Sequence, residues 1–179
     1  MKRFRKLLVS LALALVMVLS FSMPVFADST ADVTVTATPT YISISNTPTT
    51  EALGMLAANS TIWAIGTAPA DPLVDAGCTF TVTNNGNVAE NIAITATDFA
   101  GGVGWTLGTP AQNVVRLKAG KSGDALETDM VTLTTSPQAF ISSLAGSATK
   151  KWEIKMETPT SFTDGVTKTS TITLTATLA

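Results

Sequence analysis

Residues 169–178 read TSTITLTATL, and this stretch decides the fold class. Threonine occupies every odd position, while Ile172, Leu174 and Leu178 occupy even positions. Side chains at positions i and i+2 share one face of a strand, whereas a helix would spread these apolar residues around its circumference. We therefore predict a strand with a threonine face toward solvent and an apolar face toward a core.

The same alternation recurs along much of the chain. Apolar residues alternate with polar ones in residues 33–38, 42–45, 78–82, 92–97, 131–134 and 151–157. In the last of these segments the charged residues alternate with Trp152, Ile154 and Met156, so we expect the charges on the outer face. Strands with one solvated face are typical of antiparallel sheets. We predict an all-β protein, an antiparallel immunoglobulin-like or jelly-roll β-sandwich.

Three segments between the strands carry local signals. Residues 51–58 and 137–144 are the best candidates for short helices. The turn Asn84-Asn85-Gly86-Asn87 predicts a tight hairpin between the strands at residues 78–82 and 92–97, because asparagine and glycine tolerate positive φ.

The N-terminus has the pattern of a secretory signal peptide. Four basic residues precede an apolar run at residues 7–19, and Val25-Phe26-Ala27 ends in a small residue suited to cleavage. An uncleaved anchor is the alternative, but the run is shorter than the roughly 20 residues that span a bilayer. We predict a signal peptide at residues 1–27, cleavage after Ala27, and a single β-sandwich domain at residues 28–179. The protein is expected to be secreted or at the cell surface.

The net charge of the mature chain disfavours two classes of binding partner. Cleavage removes four of the eleven basic residues and none of the thirteen acidic ones, which leaves seven against thirteen and a net charge of −6. An acidic chain does not attract nucleic acid or an anionic membrane surface. We expect neither partner once the signal has been removed.

The sequence offers little catalytic chemistry. It contains no histidine and one cysteine, so a Ser-His-Asp triad and an intramolecular disulfide cannot form, and a zinc site of the usual ligands is nearly excluded. We predict no enzyme activity, no cofactor, and no catalytic, cofactor-binding or metal residues. Cys78 is in phase with Phe80 and Val82, which predicts a buried thiol rather than an intermolecular crosslink.

The acidic residues leave one alternative open. Asp124, Glu127 and Asp129 crowd a single predicted loop, where their oxygens could bind calcium or simply be solvated. The remaining candidate acids fall in turns or at strand ends, where solvated carboxylates are expected: Asp71, Asp75, Asp98 and Asp164.

Two stretches carry a resemblance to known surface modules. Residues 80–94, FTVTNNGNVAENIAI, resemble the hairpin of immunoglobulin-like modules of the CARDB adhesion type, and residues 162–178 look like the last hairpin of such modules. Together they span 32 of the 152 residues expected after cleavage. The resemblance implies a secreted β-sandwich and leaves the function open, because this architecture serves many roles.

Two further resemblances point to surface proteins. Trp105-Thr106-Leu107 is similar to the first motif of the WxL domain of Gram-positive cell walls, although Trp152-Glu153-Ile154 stands where a second Trp-x-Leu is expected. Core packing of aromatic and aliphatic residues two positions apart is the alternative. The signal peptide followed by a short strand at residues 33–38 resembles the TasA/camelysin type of extracellular fibre subunit.

These observations predict a non-catalytic structural or adhesive surface protein. In a fibre subunit, residues 33–38 could complete the sheet of a neighbouring copy head to tail, or pair within their own sheet. The alternative function is a module that binds cell-wall polymer or carbohydrate.

Overall fold

Residues 36–179, which the computed structural model describes, fold into ten β-strands and one turn of 3-10 helix at Asp75–Gly77. The predicted signal peptide and the first half of the strand predicted at residues 33–38 lie outside the described residues, and residues 36–38 are exposed and belong to no strand. The strands are β1 Ile44–Thr47, β2 Thr61–Trp63, β3 Phe80–Asn84, β4 Glu90–Ala96, β5 Thr106–Leu107, β6 Val114–Lys121, β7 Val131–Thr132, β8 Gln138–Leu144, β9 Thr149–Glu157 and β10 Ile172–Leu178.

The strands form two sheets. The larger has the order β1-β3-β9-β6-β5, with β2 also paired to β9 and β7 to β6. The smaller has the order β10-β4-β8. All pairs are antiparallel except β5 with β6. The predicted all-β, antiparallel sandwich is therefore confirmed, and the unit Pro39–Ala179 accounts for all ten strands.

The core lies between the inner faces of the two sheets. The alternating apolar positions of β3, β6 and β9 face those of β4 and β8, as the period-2 pattern predicts. The centre of the core is aromatic: Trp152 stacks on Phe80 with ring centroids 4.5 Å apart and meets Phe140 edge-on at 5.6 Å. Such pairs stabilise a core beyond the area that they bury.

The prediction that all charges in β9 are solvated is wrong. Glu153 and Lys155 are buried, although they lie on the face opposite Trp152 and Ile154. Because β9 is the central strand of the larger sheet, loops cover its outer face as well: Glu153 accepts a hydrogen bond from the backbone of Ile65.

The turn predicted at residues 84–87 does not close a hairpin. It carries the chain from β3 in the larger sheet to β4 in the smaller one. None of its residues has positive φ. The predicted final hairpin is wrong for a similar reason, since β10 crosses to the smaller sheet and pairs along its whole length with β4.

Both predicted helices are wrong. Residues 51–58 are irregular, and Gly54 at φ 73° lies in a backbone region that a right-handed helix cannot use. Residues 138–144 form β8, where Phe140, Ile141 and Leu144 are all buried. A register shift in the pairing of β8 with β4 lets two consecutive residues face inward, and this spacing imitates a helical period.

Candidate assembly edge and buried polar groups

β10 forms one edge of the smaller sheet. On one side its seven residues pair with β4 in an unbroken register from Ile172–Ala96 to Leu178–Glu90. Within residues 36–179 no strand pairs with its other side. The threonines at positions 173, 175 and 177 face solvent as predicted, but the apolar face is only half covered, and Leu178 is 56% exposed.

The other strand edges are less suited to pairing. β8, at the opposite edge of the smaller sheet, is irregular, because its pairing with β4 shifts register and Ser143 has φ 52°. β1 has four residues and is followed at once by Pro48, which has no N–H to donate. Bulges, prolines and short length are the usual protections of an edge strand. β10 is therefore the one long, regular and uncharged edge in the described part of the chain.

The corner between β3 and β4 holds the segment at which the compact unit begins. Asn87 makes three hydrogen bonds to this segment. Its side-chain oxygen accepts the N–H of Tyr41 at 2.8 Å, its side-chain amide donates to the carbonyl of Pro39 at 2.8 Å, and its own N–H donates to the carbonyl of Tyr41 at 3.1 Å. Pro39 and Tyr41, at the start of the compact unit, are therefore fixed to this corner.

A buried carboxylate completes this corner. Glu90 is fully buried, and its Oε1 accepts the N–H of Ser43 at 2.9 Å, while its Oε2 has no hydrogen-bond partner among the described residues. Gly86 allows the close approach, since a Cβ there would lie 2.3 Å from the carbonyl oxygen of Tyr41 and 2.6 Å from Glu90 Oε1. Glycine is thus required in this turn because there is no room for a side chain, and not because the backbone has positive φ.

A second buried carboxylate belongs to Glu153. Its Oε1 accepts the N–H of Ile65 at 2.9 Å and its Oε2 accepts the N–H of Thr79 at 2.6 Å. One side chain thereby holds both ends of the long loop between β2 and β3. Neither Glu90 nor Glu153 was predicted as a structural carboxylate from the sequence. For Glu90 a signal existed, because it is in phase with the inward residues Ile92 and Ile94.

The candidate calcium residues have separate partners. Asp124 Oδ1 lies 2.9 Å from Lys121 Nζ, and Asp129 accepts the N–H of Ala125 at 3.0 Å. Glu127 accepts hydrogen bonds from two lysines, and the bond from Lys118 is the main cause that lowers the pKa of its carboxyl. Across residues 36–179 no group of three acidic or cysteine side chains could hold a metal ion. Asp124 and Glu127 are thus paired with lysines, which is neither the predicted calcium site nor the alternative of simple solvation.

The Lys155 ammonium stays charged beneath this loop because two carboxylates bind it. Burial disfavours the charged form of its amine, but hydrogen bonds to Glu127 and Glu157 outweigh this effect and raise its pKa. The ammonium also lies 5.9 Å from the ring centre of Trp63. A buried cation with two carboxylate partners and an aromatic neighbour stabilises the outer face of the larger sheet.

The three tryptophans are all buried, with exposures of 7% for Trp63, 6% for Trp105 and 2% for Trp152. Trp105 stacks on Phe162 at 5.2 Å. This placement agrees with core packing of the Trp-x-aliphatic pairs. In the described part of the chain, Tyr41 is the exposed large aromatic side chain, so no platform of several aromatics is available for a sugar ring.

Cys78 is half-buried just before β3, rather than fully buried as predicted. Burial, followed by the nearby charges of Glu153 and Asp75, raises the pKa of its thiol to about 11. The thiol is therefore protonated and weakly nucleophilic at neutral pH.

A shallow depression beside the irregular β4–β8 pairing has a volume of about 420 Å³. Lys121 is the ionisable residue that lines it, and Asp124 already pairs with this amine. The depression brings together no nucleophile with a base.

Comparison of the chain with family models, with curated proteins and with solved structures gives no significant match. Residues 36–179 contain no helix that is long and apolar enough to cross a membrane.

Proposed function

We propose that the chain is a secreted, non-catalytic structural protein that polymerises into an extracellular fibre. The observation that carries the proposal is the free side of β10: a regular seven-residue edge with no charged side chain, and with a half-covered apolar face. An edge of this kind is a template for one more strand. Proteins that remain monomeric usually shorten, charge or bulge such an edge.

The N-terminal segment of a neighbouring copy has the properties of the missing strand. Residues 33–38 read VTVTAT, which alternate apolar and polar residues as β10 does, and they directly precede the point that Asn87 holds. Six residues of strand span about 20 Å, which is close to the length of β10. Donation of this segment to β10 of the next copy would bury its valines against Leu174 and Ile172.

Deletion of the segment tests the proposal. The mature chain, residues 28–179, should form elongated polymers that electron microscopy and light scattering detect. The variant that lacks residues 28–38 should stay monomeric while keeping its β-sheet circular dichroism, because the compact unit begins at Pro39.

A peptide provides the matched control. A synthetic peptide of residues 28–40 should bind the deleted variant, whereas the same peptide with Val33→Asp and Val35→Asp should not, because its apolar face is lost. A mature chain that is monomeric at every concentration, or a deleted variant that polymerises equally well, would contradict the proposal. Saturable binding to purified cell wall by a monomeric mature chain would instead favour the wall-binding module.

A further inference from the structure

Exposed apolar side chains mark one end of the β4–β10 ladder. We call Tyr41, Ile42 and Leu178 the entry surface. Tyr41 is 57% exposed, Ile42 40% and Leu178 56%. They lie at the same end of the ladder, because Leu178 pairs with Glu90, whose carboxylate accepts the N–H of Ser43.

A second pair of exposed apolar residues marks the opposite end. Val103 and Val166, 51% and 53% exposed, form what we call the valine surface. One carboxylate holds both residues in place: Asp164 Oδ2 accepts the N–H of Val103 at 2.6 Å, and its Oδ1 accepts the N–H of Val166 at 3.1 Å. The valine surface is therefore built from two loops tied at their backbones.

The two surfaces cannot meet within one molecule. The ladder is bridged at Ala100–Thr169 near the valine surface and ends at Glu90–Leu178 beside the entry surface. Nine residue steps of strand separate Thr169 from Leu178, about 30 Å. A contact between two different surfaces on separate copies leaves each copy with one free surface, so it repeats into an open chain rather than closing a dimer.

The position of the start of the compact unit favours the same end-to-end arrangement of copies. Pro39 and Tyr41 are held at the entry surface, so a donated segment that precedes Pro39 would start from that end of the sandwich. A second copy whose valine surface sits there presents the Ile172 end of its β10 to the departing segment. Followed backward from Pro39, the segment extends along that β10 from Ile172 to Leu178. Its own chain direction is therefore antiparallel to β10, and its length is close to that of β10.

We propose that successive copies stack end to end, with the entry surface of one against the valine surface of the next. This inference rests on the proposed function and adds to it a named interface, a second copy of the chain as partner, and an antiparallel orientation of the donated strand on β10.

Single charges at each end test the interface. Tyr41→Asp and Val166→Asp place a carboxylate in an apolar contact, and each should raise the concentration of mature chain needed for polymerisation about tenfold or more. Both side chains are more than half exposed, so the monomer should unfold at its usual temperature. Met55→Asp is the matched control, since Met55 is fully exposed and outside both surfaces.

Mixing the two variants tests the pairing itself. At a concentration at which the unaltered mature chain polymerises but neither variant does, each variant alone should be monomeric. An equimolar mixture should give one-to-one dimers by native mass spectrometry, because one copy retains an intact entry surface and the other an intact valine surface. Ile42→Asp and Val103→Asp replace either variant if it is unstable.

Several outcomes would overturn the inference: variants that polymerise like the unaltered mature chain, a Met55→Asp control that is equally impaired, or a Val166→Asp variant that dimerises alone through two entry surfaces. If Tyr41→Asp and Val166→Asp polymerise normally while deletion of residues 28–38 still abolishes polymers, the interface is wrong and the proposed function stands. If the mature chain never polymerises, both the end-to-end interface and the proposed fibre function are wrong.

Discussion

The carboxylate of Glu153, buried in the central strand β9, accepts the backbone N–H of Thr79 at 2.6 Å. With the bond from Ile65, this contact makes one side chain the attachment of a whole surface loop. The predicted outward direction of Glu153 is right, yet the loop that it holds removes it from solvent.

Glu153→Gln should therefore destabilise the protein by about 2 kcal/mol, because the amide offers one acceptor to two buried N–H groups. Urea unfolding at neutral pH measures the change. Glu51→Gln, in the exposed irregular segment, should stay within about 0.5 kcal/mol of the unaltered protein. Equal effects at the two positions would show that the buried bonds contribute nothing.

Leu174 and Thr175 test the faces of β10. Leu174→Asp should cost about 2 kcal/mol, since Leu174 packs against the core while remaining partly exposed. Thr175→Asp, on the solvent face of the same strand, should cost less than about 1 kcal/mol. Thermal unfolding of the variant that lacks residues 28–38 separates these effects from assembly, and a reversed order would mean that the faces are exchanged.

Gly86→Ala should loosen the start of the compact unit. The added methyl group meets the Tyr41 carbonyl and Glu90 Oε1 at distances that no Cβ tolerates, so the segment at residues 39–43 has to move. Limited proteolysis should cleave this segment faster. Gly165→Ala is the control, because a Cβ there meets nothing within 4 Å, and unchanged cleavage in both variants would contradict the proposed role of the corner.

Asp164 should make the valine surface sensitive to acid. A hydrogen bond from Lys168, followed by the N–H of Val103, lowers the pKa of its carboxyl. The stabilisation is therefore complete above the ordinary value of about 3.9 and is lost as the pH falls through the lower pKa of the folded state. Below that value the loops at Val103 and Val166 should loosen.

Hydrogen exchange of the Val103 and Val166 amides at decreasing pH measures this release. In Asp164→Asn the exchange should be fast already at neutral pH and, after correction for the intrinsic rate, should lose its acid transition. Asp75→Asn, at an exposed turn, is the control and should keep the transition. An acid transition that survives in Asp164→Asn would assign it to another group.

The alternation of apolar residues was sufficient to predict the fold class, because burial of one strand face imposes period 2 wherever a sheet has a core. It failed at β8, where a register shift turns Phe140 and Ile141 to the same side. It also could not predict which strands pair: residues 84–87 have the composition of a hairpin turn, but the partners of β3 and β4 are chosen by packing between sheets.

The candidate site was less predictable than the fold. The threonine face of β10 could be predicted from its own residues, whereas its position at an edge depends on the pairing of β4 with β8, far away in sequence. The bonds from Asn87 to Pro39 and Tyr41 join residues more than forty positions apart, and no local pattern encodes them. The carboxylates of residues 124, 127 and 129 illustrate the reverse: closeness in sequence did not give them a common ligand.

The irregular pairing of β8 with β4 limits how far the smaller sheet can grow by lateral pairing. A sheet with two smooth edges can widen without limit by adding strands laterally, and this is the route to cross-β aggregates. Here the register shift and Ser143 disrupt one edge while β10 leaves the other regular. Two copies that pair edge to edge through β10 would then present only the irregular β8 edges of their smaller sheets, which are poor templates for a further copy.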